Sequence, residues 1–66
     1  MYRRIRELRE DKDMTQQQMA DILNCSQTAY SKYELGQRDI PTKVLIKLAR
    51  FHNVSVDYLL EIDEQQ

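Results

Sequence analysis

The sequence predicts an all-α domain of about five short helices, and three observations carry that reading. The 66 residues include one glycine and one proline, which leaves little material for hairpin turns. The apolar residues recur at helical rather than alternating spacing. Helix-start and helix-stop residues fall between those apolar stripes along most of the chain. The size is that of one domain over residues 1–66, with a core only just large enough to hold a fold unaided. With 41% hydrophobic and 32% charged residues, the composition is that of a soluble globular chain rather than a disordered one.

The first helix is expected near Tyr2 to Asp11, with Ile5 and Leu8 as its buried stripe. The run Thr15-Gln16-Gln17-Gln18 is a capping box: the Thr15 hydroxyl accepts from the amide of Gln18, whose side chain reaches back to the amide of Thr15. The helix it opens buries Met19, Ala20 and Leu23 and stops at Asn24, a residue that tolerates the left-handed conformation of a helix end. Ser26 caps a third helix and Gly36 closes it. Thr42 after Pro41 is expected to cap a fourth, with Val44, Leu45, Leu48 and Ala49 apolar and a stop at Asn53. Ser55 caps a short fifth, where Val56, Leu59 and Leu60 face inward, and the last few residues read as frayed.

Net charge is −1, but it is unevenly spread. Residues 1–12 carry five bases against Glu7, Glu10 and Asp11, and residues 26–52 carry five against Glu34 and Asp39. The tail from Asn53 has Asp57, Glu61, Asp63 and Glu64 with no base. This polarity fits a basic working face or, equally, a set of solvated helix faces. Apolar runs are too short to span a membrane, and the Arg-rich start lacks the apolar stretch of a signal peptide. A single cysteine makes no internal disulfide and suits a reducing cytoplasm.

The third helix has an unusual exposed face. Tyr30 and Tyr33 fall on one side with Ala29, leaving Gln27, Thr28, Ser31 and Lys32 on the rest. Only Asn24, Cys25 and Ser26 separate it from the second helix, so the two must cross steeply in helix-turn-helix geometry, and Ala20 allows a close approach.

The stretch "MTQQQMADILNCSQTAYSKYELGQRDIPTKVLIKLARFHNVSVDYLL", with "LRE" before it, resembles the Cro and phage-repressor type helix-turn-helix domain, the xenobiotic-response-element family of bacterial regulators. The resemblance runs from Ile5 to Leu60 and takes in "TQ…MA", "S…Y…YELG", "PTKVLIKLA" and "NVSVDYLL" in order. Asn24 stands where glycine is usual, Cys25 where valine is usual and Tyr30 where an aliphatic residue is usual. The resemblance implies a lambda-repressor-like fold, a helix-turn-helix over about residues 16–35, and a sequence-specific regulator of transcription that binds double-stranded DNA. Its third helix would lie in the major groove with its N-terminal part toward the base edges.

That placement accounts for the uncharged face. Gln27 can pair with adenine, the Thr28 methyl suits thymine, and Ser31 and Lys32 can reach base edges, lysine favouring the O6 and N7 of guanine. Gln16 and Ser26 begin helices, where free amides meet phosphate, although both also serve as caps or near-caps. By resemblance, Gln37, Arg38 and Lys43 contact the DNA backbone, a solvated loop being the alternative. Also by resemblance, Arg9 and Glu34 bridge the first and third helices rather than standing as unrelated surface charges; such a pair, partly exposed, is worth about 1 kcal/mol. Cys25 reads as a small buried turn residue and His52 as a helix-end residue whose positive charge the dipole favours.

One helix in one groove touches few bases, so a homodimer on a palindromic operator is expected, with Phe51, Tyr58 and Ile62 as the pairing surface. Repression by blocking polymerase is the simplest mode. The competing class is a protein-interaction module such as an antitoxin. The residues offer no nucleophile–base pair, metal-ligand set, phosphate-cradling loop or effector pocket, so neither an enzyme nor a cofactor is expected. The expected location is the cytoplasm, at the nucleoid.

Overall fold

Five helices follow one another in the computed structural model, which describes residues 2–62. They are α1 (Arg3–Asp11), α2 (Gln16–Leu23), α3 (Gln27–Leu35), α4 (Thr42–His52) and α5 (Val56–Leu59). Asp63 and Glu64, and the last residues that the sequence reads as frayed, lie outside the described residues.

The starts of α2, α3 and α5 follow the sequence reading. Thr15 Oγ1 accepts from the Gln18 amide at 3.1 Å while Gln18 Oε1 accepts from the Thr15 amide at 2.8 Å, completing the capping box. Ser26 and Ser55 accept from the amides of Ala29 and Tyr58, each at 3.0 Å. Two starts differ. Thr42 is the first helical residue of α4, and Pro41 takes the cap position with no side-chain bond. Its carbonyl accepts from the amides of Val44 and Leu45 at 2.9 and 3.0 Å, and its fixed φ of −58° already leads the chain into the helix. The α1 helix starts at Arg3, with Tyr2 before it in non-helical backbone (φ −96°, ψ 83°), and the Tyr2 amide donates to the Glu34 carbonyl at 3.1 Å, tying the chain start to the end of α3.

Each helix ends in one motif. Asp13, Asn24, Gly36, Asn53 and Glu61 take φ of 55°, 58°, 73°, 57° and 60°. In every case that residue's amide bonds three residues back and the next amide bonds five back, as in Asp13 to Glu10 (2.9 Å) and Met14 to Arg9 (3.2 Å). This is the Schellman stop, which satisfies carbonyls the helix would leave open. The sequence reading found the asparagine and glycine stops and missed Asp13 and Glu61. The motif's second signal was available: the next residue is apolar in four of the five, and Met14, Cys25 and Val54 fold back onto the core. Cys25 thus closes a turn, half-buried, its thiol pushed above the ordinary value by burial.

The core contains Ile5, Met19, Ala20, Leu23, Tyr30, Tyr33, Leu48, Ala49 and Leu59. The α2 helix packs against α3 and α4, α1 against α3 and α5, and α4 against α5. Ala20 is fully buried where the helix-turn-helix pair crosses. Leu8, Val44, Leu45, Val56 and Leu60, expected inside, are half-buried at the margin, as a domain this small has few sites covered on all sides. A four-residue helix has no stability alone. Buried Leu59 holds α5 in place, and Arg4 lies across it, with Nη1 donating to the Tyr58 carbonyl at 3.0 Å and its guanidinium 4.3 Å from the Tyr58 ring centre.

His52 departs from expectation. It is 7% exposed, and neither ring nitrogen meets a hydrogen-bond partner among the described residues. Burial, with the charge of Lys12 nearby, lowers its pKa below the usual histidine range. Desolvation thus disfavours the charged form that the helix end would favour, and the ring packs edge-on against Phe51 at 5.0 Å.

Candidate nucleic-acid interface

The α3 helix turns its two tyrosines inward, which commits its opposite face to the surface. Tyr30 is fully buried and Tyr33 nearly so, while Gln27, Thr28 and Lys32 are exposed and Ser31 is half-buried. These four line an open groove of about 430 Å³ together with Gln16, Leu35 and Gln37. Six of the seven lining residues are ones the sequence singles out. Leu35, 48% exposed at the C-terminal end of α3, is the seventh, and the sequence assigned it no role.

The remaining expected contacts, Ser26, Arg38 and Lys43, are not among the residues that line this groove. Ser26 is exposed at the start of α3 with its oxygen engaged in the cap. Arg38 and Lys43 are exposed on the loop after α3 and in the first turn of α4. Two helix starts, at Gln16 and Gln27, supply the backbone amides that suit an anion.

The groove is held in shape from behind by the Arg9–Glu34 pair. Arg9 Nε donates to Glu34 Oε2 at 2.7 Å and Nη2 to Oε1 at 3.3 Å, while Nη1 donates to the Met14 carbonyl at 2.8 Å. The side chains are 12% and 3% exposed, so this is a buried fork rather than the partly exposed pair the sequence implied. Burial alone would raise the Glu34 pKa. The Arg9 guanidinium, with the Tyr30 hydroxyl and Gln16 amide beside the carboxylate, outweighs that and holds it below the ordinary value. The hydrogen bond to Glu34 in turn raises Arg9. The Tyr30 hydroxyl is buried with no well-formed hydrogen bond among the described residues; burial and the adjacent carboxylate hold it well above its usual range.

Gln16 connects this pair to the groove, its Nε2 donating to Glu34 Oε1 at 3.2 Å. One carboxylate thereby fixes α1, α2 and α3 relative to each other and orients a groove residue. Nothing in sequence spacing links residues 9, 16 and 34; the link exists only once three helices meet.

The three expected pairing residues are differently placed. Phe51 and Ile62 are 37% and 43% exposed. Tyr58, expected to point away from the body, is half-buried beneath Arg4. Lys12 Nζ lies 5.5 Å from the centre of the Phe51 ring, so Phe51 and Tyr58 face different cations, one just past the end of α1 and one in its first turn. Among the described residues no cluster of histidine, cysteine or carboxylate side chains could hold a metal ion. None of the described helices is long and apolar enough to cross a membrane.

Two short helices joined by a tight turn, the second presenting amides, hydroxyls and a lysine in an open groove, define a helix-turn-helix domain. The Helix-turn-helix family model matches residues 5–59, and the chain belongs to that family. It is 44% identical over 57 residues to the uncharacterized HTH-type transcriptional regulator YqaE of Bacillus subtilis (strain 168), covering 86% of this chain and 49% of that protein. It is 42% identical over 62 residues to the HTH-type transcriptional regulator ImmR of the same organism, covering 94% and 49%. The HTH-type transcriptional activator BcrR of Enterococcus faecalis is 36% identical over 61 residues, covering 92% and 30%. The chain thus spans about half the length of YqaE and ImmR. No solved structure matches it.

Proposed function

We propose that this chain binds duplex DNA sequence-specifically and regulates transcription, with α3 entering the major groove. The observation that carries this reading is the convergence of Gln16, Gln27, Thr28, Ser31, Lys32 and Gln37 on one open groove. Amides and hydroxyls both donate and accept hydrogen bonds, as base edges require, and no carboxylate is among the groove's lining residues to repel phosphate. Gln27 and Thr28 read bases at the start of α3, with Ser31 and Lys32 one turn further on. Gln16, Ser26, Gln37, Arg38 and Lys43 hold the DNA backbone. Naming of the relatives as transcriptional regulators supports the same function.

The chain acts as a dimer on a palindromic operator, because a single half-site is too short to be singled out among competing genomic sites. Exposed Ile62 and Phe51 support pairing through the α4–α5 end. Bound operator excludes polymerase, which makes repression the simplest consequence.

The test is binding to random duplex DNA at low salt, followed by a salt titration. Some six phosphate contacts per dimer give log K against log salt a slope of roughly −5. A slope near zero removes the DNA reading and leaves a protein-interaction module. Selection from a randomised duplex pool then supplies the operator. On it, Gln27→Ala relaxes preference at one position and weakens binding by about 1–3 kcal/mol. Unchanged preference would show that α3 does not read bases.

A further inference from the structure

Leu35 is the one groove residue with no polar group. It occupies the last helical position of α3, is 48% exposed, and among the described residues stands outside the core. Its spacing is informative. Thr28, Ser31, Lys32 and Leu35 sit at i, i+3, i+4 and i+7, a single stripe along the helix, and all four line the groove. Leu35 therefore shares the reading face with the polar residues instead of lying on a separate apolar patch. It sits two turns, about 10 Å along the helix axis, from Thr28, so the two side chains cannot meet the same base pair.

The major groove presents one apolar group, the C5-methyl of thymine. A branched aliphatic side chain makes no hydrogen bond to the other base edges, and contact with that methyl removes apolar surface of both partners from water. We infer that Leu35 is a specificity-determining residue of this interface, reading a thymine methyl near the outer edge of the half-site, at a position distinct from the base read by Thr28. The inference rests on the DNA-binding reading and extends it to a residue that composition and motif do not single out. Because Leu35 carries no charge and lies away from the core, its substitution changes recognition without changing the fold or the phosphate contacts.

The experiment uses the tightest duplex recovered from a randomised pool. Each thymine of one half-site is replaced in turn by deoxyuridine, which removes only the methyl group, and binding of the full chain is measured. Two sensitive positions are expected, each weakening binding about four-fold, the worth of one buried methyl group. Leu35→Ala abolishes the effect at the outer position and leaves the other intact, Thr28→Ser does the reverse, and Leu35→Met retains both. Leu35→Ala keeps the native melting temperature and salt slope. If deoxyuridine substitution acts alike on the native chain and on Leu35→Ala at every position, Leu35 reads no methyl. Uniform weakening of all duplexes by Leu35→Ala also overturns the inference, since it indicates contact with the backbone. Neither result touches the DNA-binding reading, which stands or falls on the salt slope and on Gln27→Ala.

Discussion

Replacing Arg9 by methionine tests the buried fork behind the groove. The substitution keeps the apolar stem of the side chain but leaves the Glu34 carboxylate, 3% exposed, without its guanidinium. The cost has a ceiling, because an uncompensated buried carboxylate escapes by taking up a proton. From the ordinary value of 4.5, protonation at pH 7 spans about 2.5 units at about 1.36 kcal/mol each, or about 3.4 kcal/mol. The Arg9 bond to the Met14 carbonyl adds about 1 kcal/mol. A chain this size holds on the order of 3–10 kcal/mol in all, so Arg9→Met is expected to be close to unfolding at pH 7. In the native chain the Glu34 pKa is lowered, so its contribution is present above pH 4.5 and fades as pH falls. In the variant Glu34 has lost the guanidinium, its folded pKa rises, and its penalty disappears earlier, as pH falls from 7 toward 4.5. The two chains should therefore converge by about 1.4 kcal/mol per pH unit between pH 7 and pH 4.5. Urea unfolding followed by circular dichroism at pH 7, 6 and 5 measures this. A loss under about 1 kcal/mol, independent of pH, would mean that the pair behaves as an exposed surface contact and that the argument from burial is wrong. Arg9→Met/Glu34→Leu should recover stability yet bind DNA more weakly, since Gln16 then loses the carboxylate that orients it.

The pKa of His52 is lowered in the folded state, so its neutral form stabilises the chain fully above pH 6.5 and that contribution declines as pH drops below 6.5; His52→Leu should flatten unfolding free energy between pH 7.5 and 5.5, and an unchanged slope would locate the titration elsewhere. Asp13→Gly and Glu61→Gly remove a side chain from left-handed backbone and should each stabilise by about 0.5–1 kcal/mol in thermal melts, whereas Asn24→Gly gains less because asparagine tolerates that conformation. Ile62→Asp should weaken binding to a palindromic site and leave an isolated half-site unaffected, with the two recognition helices of the dimer about 34 Å apart; equal behaviour on both duplexes would show that this end does not pair.

Local chemistry determined most of the helix boundaries of this protein, although α5 depends on the packing of Leu59 and Arg4. The capping box at Thr15, the serine caps at Ser26 and Ser55, and the left-handed stops at Asn24, Gly36 and Asn53 each involve groups within five residues of one another, so the sequence contains the whole interaction. The inward tyrosines and the polar face of α3 were equally legible, because helical periodicity assigns faces before any packing occurs. Gln27, Thr28, Ser31 and Lys32 were nameable for the same reason, Gln16 from its helix start and Gln37 from the family resemblance; Leu35 was missed, since an apolar side chain at a helix end looks the same whether it meets the core or a ligand. Tertiary structure decided everything that depends on desolvation. Whether Arg9 and Glu34 form an exposed pair or a buried fork, whether His52 carries charge, and whether the Tyr58 ring is available or lies beneath Arg4 turn on how much water surrounding helices exclude. Electrostatic strength varies several-fold between surface and interior, and that variation belongs to the assembled body of the protein, to which residues far apart in sequence each contribute one wall.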